Sequence, residues 1–70
     1  MRGDTKEFIF WFHGRTLGAI GIFYRIGPFV GVGETRDVAL ERALVKAHKH
    51  HDLYSNLPVA EQDVTGLVGR

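Results

Sequence analysis

The residues best suited to chemistry are the run His48-Lys49-His50-His51-Asp52. His48 and His51 are three apart, so on a helix they share a face, and Asp52 follows His48 by four; zinc takes ligands at such spacings. A zinc site needs a third or fourth protein ligand. The chain has no cysteine, and His13 is the one obvious donor outside the run. The better account is electrostatic: His and Lys in the last turn of a helix complement the negative end of its dipole. The run therefore predicts no bound metal.

Other catalytic constellations are equally thin. A nucleophile, base and orienter need residue types that can be brought together, and the chain offers Ser55, a few threonines and four histidines. The glycines of Gly27-Pro28-Phe29-Val30-Gly31-Val32-Gly33 lead toward a helix, as phosphate loops do. They lack the Gly-Lys-Ser/Thr ending and the parallel context such loops need, and read as turn glycines. The expectation is no enzyme and no cofactor. A further possibility is a base-stacking platform: Phe8, Phe10, Trp11 and Phe12 with Arg15 and Arg25 supply aromatics and cations. Against it stands a net charge of +1, nine Lys/Arg facing eight Asp/Glu, whereas nucleic-acid binders usually carry a marked basic excess.

The elements that must position these residues divide the chain by composition. Seven of its eight aromatics precede residue 30, and residues 35–51 contain neither Gly nor Pro, which reads as sheet first and helix second. Residues 7–13 are β-favouring. His13-Gly14-Arg15-Thr16 reads as a polar turn. A second strand is predicted over residues 17–26, with Gly18 and Gly21 marking a bulge or close approach. Gly27-Pro28 reads as a break and residues 29–33 as a short third strand, giving an antiparallel meander. Thr35 is a good N-cap and Asp37 a favourable first-turn anion for a helix from Arg36 to about His51. Ala39, Leu40, Ala43, Leu44, Ala47 and His51 fall in one stripe, and its three alanines imply close approach to the sheet. Val38 and Val45 lie opposite. Pro58 could open a short helix reaching Val64, followed by a tail.

Seventy residues make one domain, with residues 7–51 as its core and 55–70 as tail or short helix. A core this small contributes only about 3–5 kcal/mol, so such chains often need a staple. With no disulfide available, the staples that remain are oligomerisation or a histidine-bound metal. Absence of cysteine fits a reducing cytoplasm. No apolar run approaches the roughly 18 residues of a membrane span, and the N-terminal residues do not read as a signal peptide.

One feature of the pattern is functional. In the first strand Phe8, Phe10 and Phe12 take one face while Ile9, Trp11 and His13 take the other. One helix covers one face, and a sheet with a solvated second face should alternate apolar with polar. Exposing several such side chains makes a patch larger than most monomers carry. The tail (Leu57, Val59, Val64, Leu67, Val68), a second copy of the chain or a foreign protein could cover it.

Gly33-Glu34-Thr35-Arg36-Asp37-Val38-Ala39-Leu40-Glu41-Arg42-Ala43 resembles the segment leading into the helix of HicB-type antitoxin domains, with two strands, a Pro/Gly break and a short third strand upstream. Over residues 7–51 the resemblance implies a β-β-β-α unit that dimerises and binds protein. The family's Pro-Asp-Leu-Pro-Gly stretch is here Arg25-Ile26-Gly27-Pro28-Phe29, and the DNA-binding segment that usually follows the helix is absent or reduced to nineteen residues. Residues 29–43 are also similar to arm-type DNA-binding domains of phage integrases, which are usually more basic.

The sequence thus predicts an α+β fold, a three-stranded antiparallel sheet packed by one α-helix. The expected function is non-catalytic binding by a cytoplasmic homodimer that acts by occluding a partner protein, as an antitoxin or phage-encoded inhibitor does. Trp11, Phe12, His13, Arg15, Tyr24 and Arg25 are the expected partner-binding residues. The alternative is nucleic-acid binding through the aromatic face with Arg15 and Arg25.

Overall fold

In the computed structural model, residues 5–15 and 23–66 are described. Strand β1 is Lys6–Arg15, β2 Phe23–Gly33, helix α1 Arg36–His50 and β3 Ala60–Asp63. The three strands form one antiparallel sheet in the order β2-β1-β3, with α1 on one face. The α+β class follows the composition split.

The origin of the strands differs from the sequence expectation. Residues 29–33 are not a separate strand: β2 runs continuously across Gly27-Pro28. The dipeptide, joined by a cis bond, is accommodated as a bulge, because Phe10 pairs with Phe29 and Phe12 with Ile26. Two residues of β2 then oppose Trp11. Proline lacks a donor and is tolerated at bulges and on edge strands, and β2 is an edge strand. The expected strand start and its glycines, residues 17–22, lie outside the described residues. The polar turn at 13–15 is also overturned. His13, Gly14 and Arg15 continue β1, opposite Arg25, Tyr24 and Phe23.

The third strand comes from the segment expected to form a short helix. An apolar β1 with one bare edge would leave a row of unpaired backbone groups; residues 52–64 supply the partner. Phe8, Ile9, Phe10 and Trp11 pair with Asp63, Gln62, Glu61 and Ala60. Farther along, the Arg15 amide donates to the Asp52 carbonyl (2.8 Å) and the Tyr54 amide to the His13 carbonyl (2.9 Å). Residues 55–58 loop out before the Val59 amide returns to the Trp11 carbonyl (2.8 Å). β1 is therefore paired on both sides along most of its length.

The helix forms as its pattern predicts. The Thr35 hydroxyl accepts from the Val38 amide (3.2 Å), and His51 caps the other end. Ala39, Ala43 and Ala47 are fully buried, with Leu40 and Leu44 packed beside them. They meet Phe8, Phe10, Phe12, Ile26 and Leu53. The three phenylalanines stack in a row, with ring centroids 5.9 and 6.3 Å apart. Phe29 joins at 6.2 Å from Phe12 and receives His51 edge-on. Arg36 ties helix to β3: its guanidinium lies 5.8 Å over the Phe10 ring, and its Nε donates to both carboxylate oxygens of Glu61 at 3.1 Å.

Candidate functional site

Strand alternation sends the even residues of β1 to the helix and the odd ones to the opposite face. That second face carries Glu7, Ile9, Trp11 and His13 from β1. Register adds Val32 beside Glu7, Val30 beside Ile9 and Arg25 beside His13. From β3, Gln62 lies beside Ile9 and Ala60 beside Trp11. Ile9, Trp11, His13, Val30, Val32 and Ala60 are all half-buried, whereas Phe10 and Phe12 on the helix side are 0% exposed. No described helix or strand lies across this face.

Trp11 is its centre. The bulge leaves two β2 residues opposite it, and its indole rests on Gly27. A Cβ built at Gly27 would come within 2.6 Å of Trp11 Cδ1, and the φ of +146° there suits glycine. The Arg25 guanidinium lies 6.0 Å from the centre of the indole, the outer range of a cation–π contact. An aromatic plate with a cation at its margin and aliphatic neighbours is an adhesive surface.

Of the six residues singled out by sequence, Trp11, His13 and Arg25 come together here. Arg15, exposed, follows at the next position of the same face. Phe12 does not belong with them. It faces the helix and is wholly buried, so it is a core residue. Tyr24 pairs with Gly14 on the helix side of the sheet; its ring covers Gly14, where a Cβ would meet Cζ at 2.7 Å, and it is 41% exposed. Ile9, Val30 and Val32 were missed as site residues. Their signal was present in the alternation of Val30-Gly31-Val32-Gly33, whose glycines face the helix and whose valines face away.

In its described part the tail lies beside this face and not across its Trp11 centre. Residues 60–63 extend the sheet sideways, and Leu57 is 72% exposed. Val64, whose amide donates to the Glu7 carbonyl (2.9 Å), continues the β3 register beside Glu7 on the Trp11 side of the sheet, where it is buried apart from the main core. The outer edge of β2 is guarded: Arg42 donates to the Val32 carbonyl (2.9 Å) and Lys46 to the Val30 carbonyl (2.8 Å). Lysine on an edge discourages another strand from pairing there.

The histidine run is dispersed. His48 Nε2 lies 2.9 Å from Asn56 Oδ1, and His51 turns to Phe29. Among the described residues no three His, Asp or Glu side chains converge as a metal site. An open depression lined by Thr5, Gly33, Glu34, Val38 and Arg42 lies at the start of α1. No described helix is long and apolar enough to cross a membrane. No protein family, curated protein or solved structure matches this chain.

Proposed function

We propose that this chain is a non-catalytic protein-binding module that acts by occupying a partner protein's surface, as an antitoxin or a phage-encoded inhibitor does. One observation carries the reading: the half-buried face centred on Trp11, with Ile9, Val30 and Val32 around it and Arg25 over the indole. Tryptophan and arginine in a desolvated centre dominate the energy of protein interfaces. Occlusion needs affinity alone and no reacting group. The near-balanced charge favours protein over a polyanion.

The test is capture from extracts of the source cell by the immobilised chain, run beside Trp11→Ser and Val45→Ser. Val45 is 69% exposed on the helix, away from the sheet. A protein retained by the parent and by Val45→Ser but lost by Trp11→Ser supports the reading. Capture that survives Trp11→Ser refutes it. So does binding to single-stranded nucleic acid that falls steeply with salt and depends on Trp11, the signature of phosphate contacts.

A further inference from the structure

The charges on the Trp11 face are ordered. Along β1 its positions run Glu7, Ile9, Trp11, His13, Arg15, and Arg25 stands beside His13. One end is acidic, the middle apolar and the other end basic. Such a surface is complementary to itself when reversed. A two-fold axis lying between two sheets and crossing β1 at Trp11 sets Trp11 against Trp11, Ile9 against His13 and Glu7 against Arg15. The parallel arrangement sets Glu7 on Glu7 and arginines on arginines, and is repulsive. Isologous interfaces require this kind of self-complementarity.

From this ordering we infer that a second copy of the chain occupies the Trp11 face, sheet against sheet, with the two β1 strands running in opposite directions. The inference rests on the reading of that face as a protein-docking surface and names its occupant. It also supplies the staple that a 70-residue chain without cysteine lacks. The edges of the sheet are poorer candidates, since Arg42 and Lys46 guard β2 and β3 has only four residues. A target protein would displace the second copy, so self-association would set the concentration at which the target is engaged.

The experiment is light scattering over a range of concentrations, with acrylamide quenching of the chain's single tryptophan and circular dichroism to verify folding. The samples are the full chain, Glu7→Arg, Arg15→Glu, the double variant and Trp11→Ser. The expected result is a dimer whose Trp11 becomes less quenchable as it forms. Each charge reversal weakens it by roughly tenfold or more, since the two-fold repeats every contact, and the double reversal recovers most of the loss. Trp11→Ser is a folded monomer. A parent that stays monomeric, a dimer indifferent to Trp11→Ser, or reversals whose losses add without recovery each overturn the inference. A monomer whose Trp11 is shielded by a captured foreign protein overturns it while leaving the docking reading intact; a monomer whose folded Trp11→Ser variant captures the same proteins overturns both.

Discussion

The carbonyl oxygen of Ala39 occupies the space that a side chain on Gly31 would need: a Cβ built there lies 1.9 Å from it. The helix backbone therefore lies directly on β2, and Gly31 with the alanine stripe makes that approach possible. Gly31→Ala must push α1 off the sheet. Overpacking of this kind costs about 1–3 kcal/mol and more where backbone has to move. Against the roughly 3–5 kcal/mol expected of so small a core, the variant should lose much of its stability and melt well below the parent. Circular dichroism melting checks it; a native-like melt would mean that helix and sheet can separate freely here.

The phenylalanine row should carry most of the core energy. Phe12→Ala removes a fully buried ring and should cost about 3–5 kcal/mol, enough to abolish folding. Leu44 is only partly buried, packed at the margin of the core, so Leu44→Ala should cost about half the usual 2–5 kcal/mol for a buried leucine. Urea titration of both variants ranks them; a larger loss at Leu44 than at Phe12 would reverse the assignment of the core.

These two sites show what the sequence made legible. The alternation of residues 8–13 placed Phe8, Phe10 and Phe12 on one face and Ile9, Trp11 and His13 on the other, and the spacing of Ala39, Ala43 and Ala47 oriented the helix. Thr35 announced its cap. Strand pairing was less legible, because Pro28 gives the same local signal whether it ends a strand or sits in a bulge on an edge. The partner of β1 was hidden for a different reason. Residues 60–63, Ala-Glu-Gln-Asp, have no β propensity of their own, and are held extended by β1 and by the Arg36–Glu61 pair. Phe12 has the aromatic character of a binding residue but the parity of a core residue. On the parity already assigned, it faces the helix.

The Arg36–Glu61 pair makes the docking of β3 sensitive to acid. Hydrogen bonds from Arg36 hold the Glu61 carboxyl below its ordinary value, and the Thr65 side chain and backbone amide do the same for Asp63. A carboxylate depressed in the folded state stabilises fully above its unfolded pKa of about 4, and the contribution is lost as pH falls through the folded value. Stability should therefore be insensitive to these groups above about pH 5 and decline below about pH 4. Both groups are solvent-accessible, so Glu61→Gln should cost only about 0.2–1 kcal/mol at neutral pH and make the acid decline shallower. Urea midpoints between pH 7 and pH 3 measure this; an unchanged decline in Glu61→Gln would leave the pair without a role in stability.

Gly27 connects the fold to the docking face. Its φ of +146° is one that L side chains rarely adopt, and a Cβ there would also meet the Phe10 carbonyl oxygen at 3.0 Å and Trp11 Cδ1 at 2.6 Å. Gly27→Ala must therefore strain the bulge and lift the indole from its seat. The backbone strain alone should cost of order 1–3 kcal/mol. The indole can swing outward more easily than the backbone can change, so the stability loss should be accompanied by a displaced Trp11. In the isolated folded variant its emission should shift and its quenching by acrylamide rise, with the helix signal retained. Binding through the Trp11 face should weaken more than stability does, because the plate on which a partner would sit is no longer flat against the sheet. Unchanged Trp11 fluorescence in a folded Gly27→Ala protein would show that the indole is not held by this glycine.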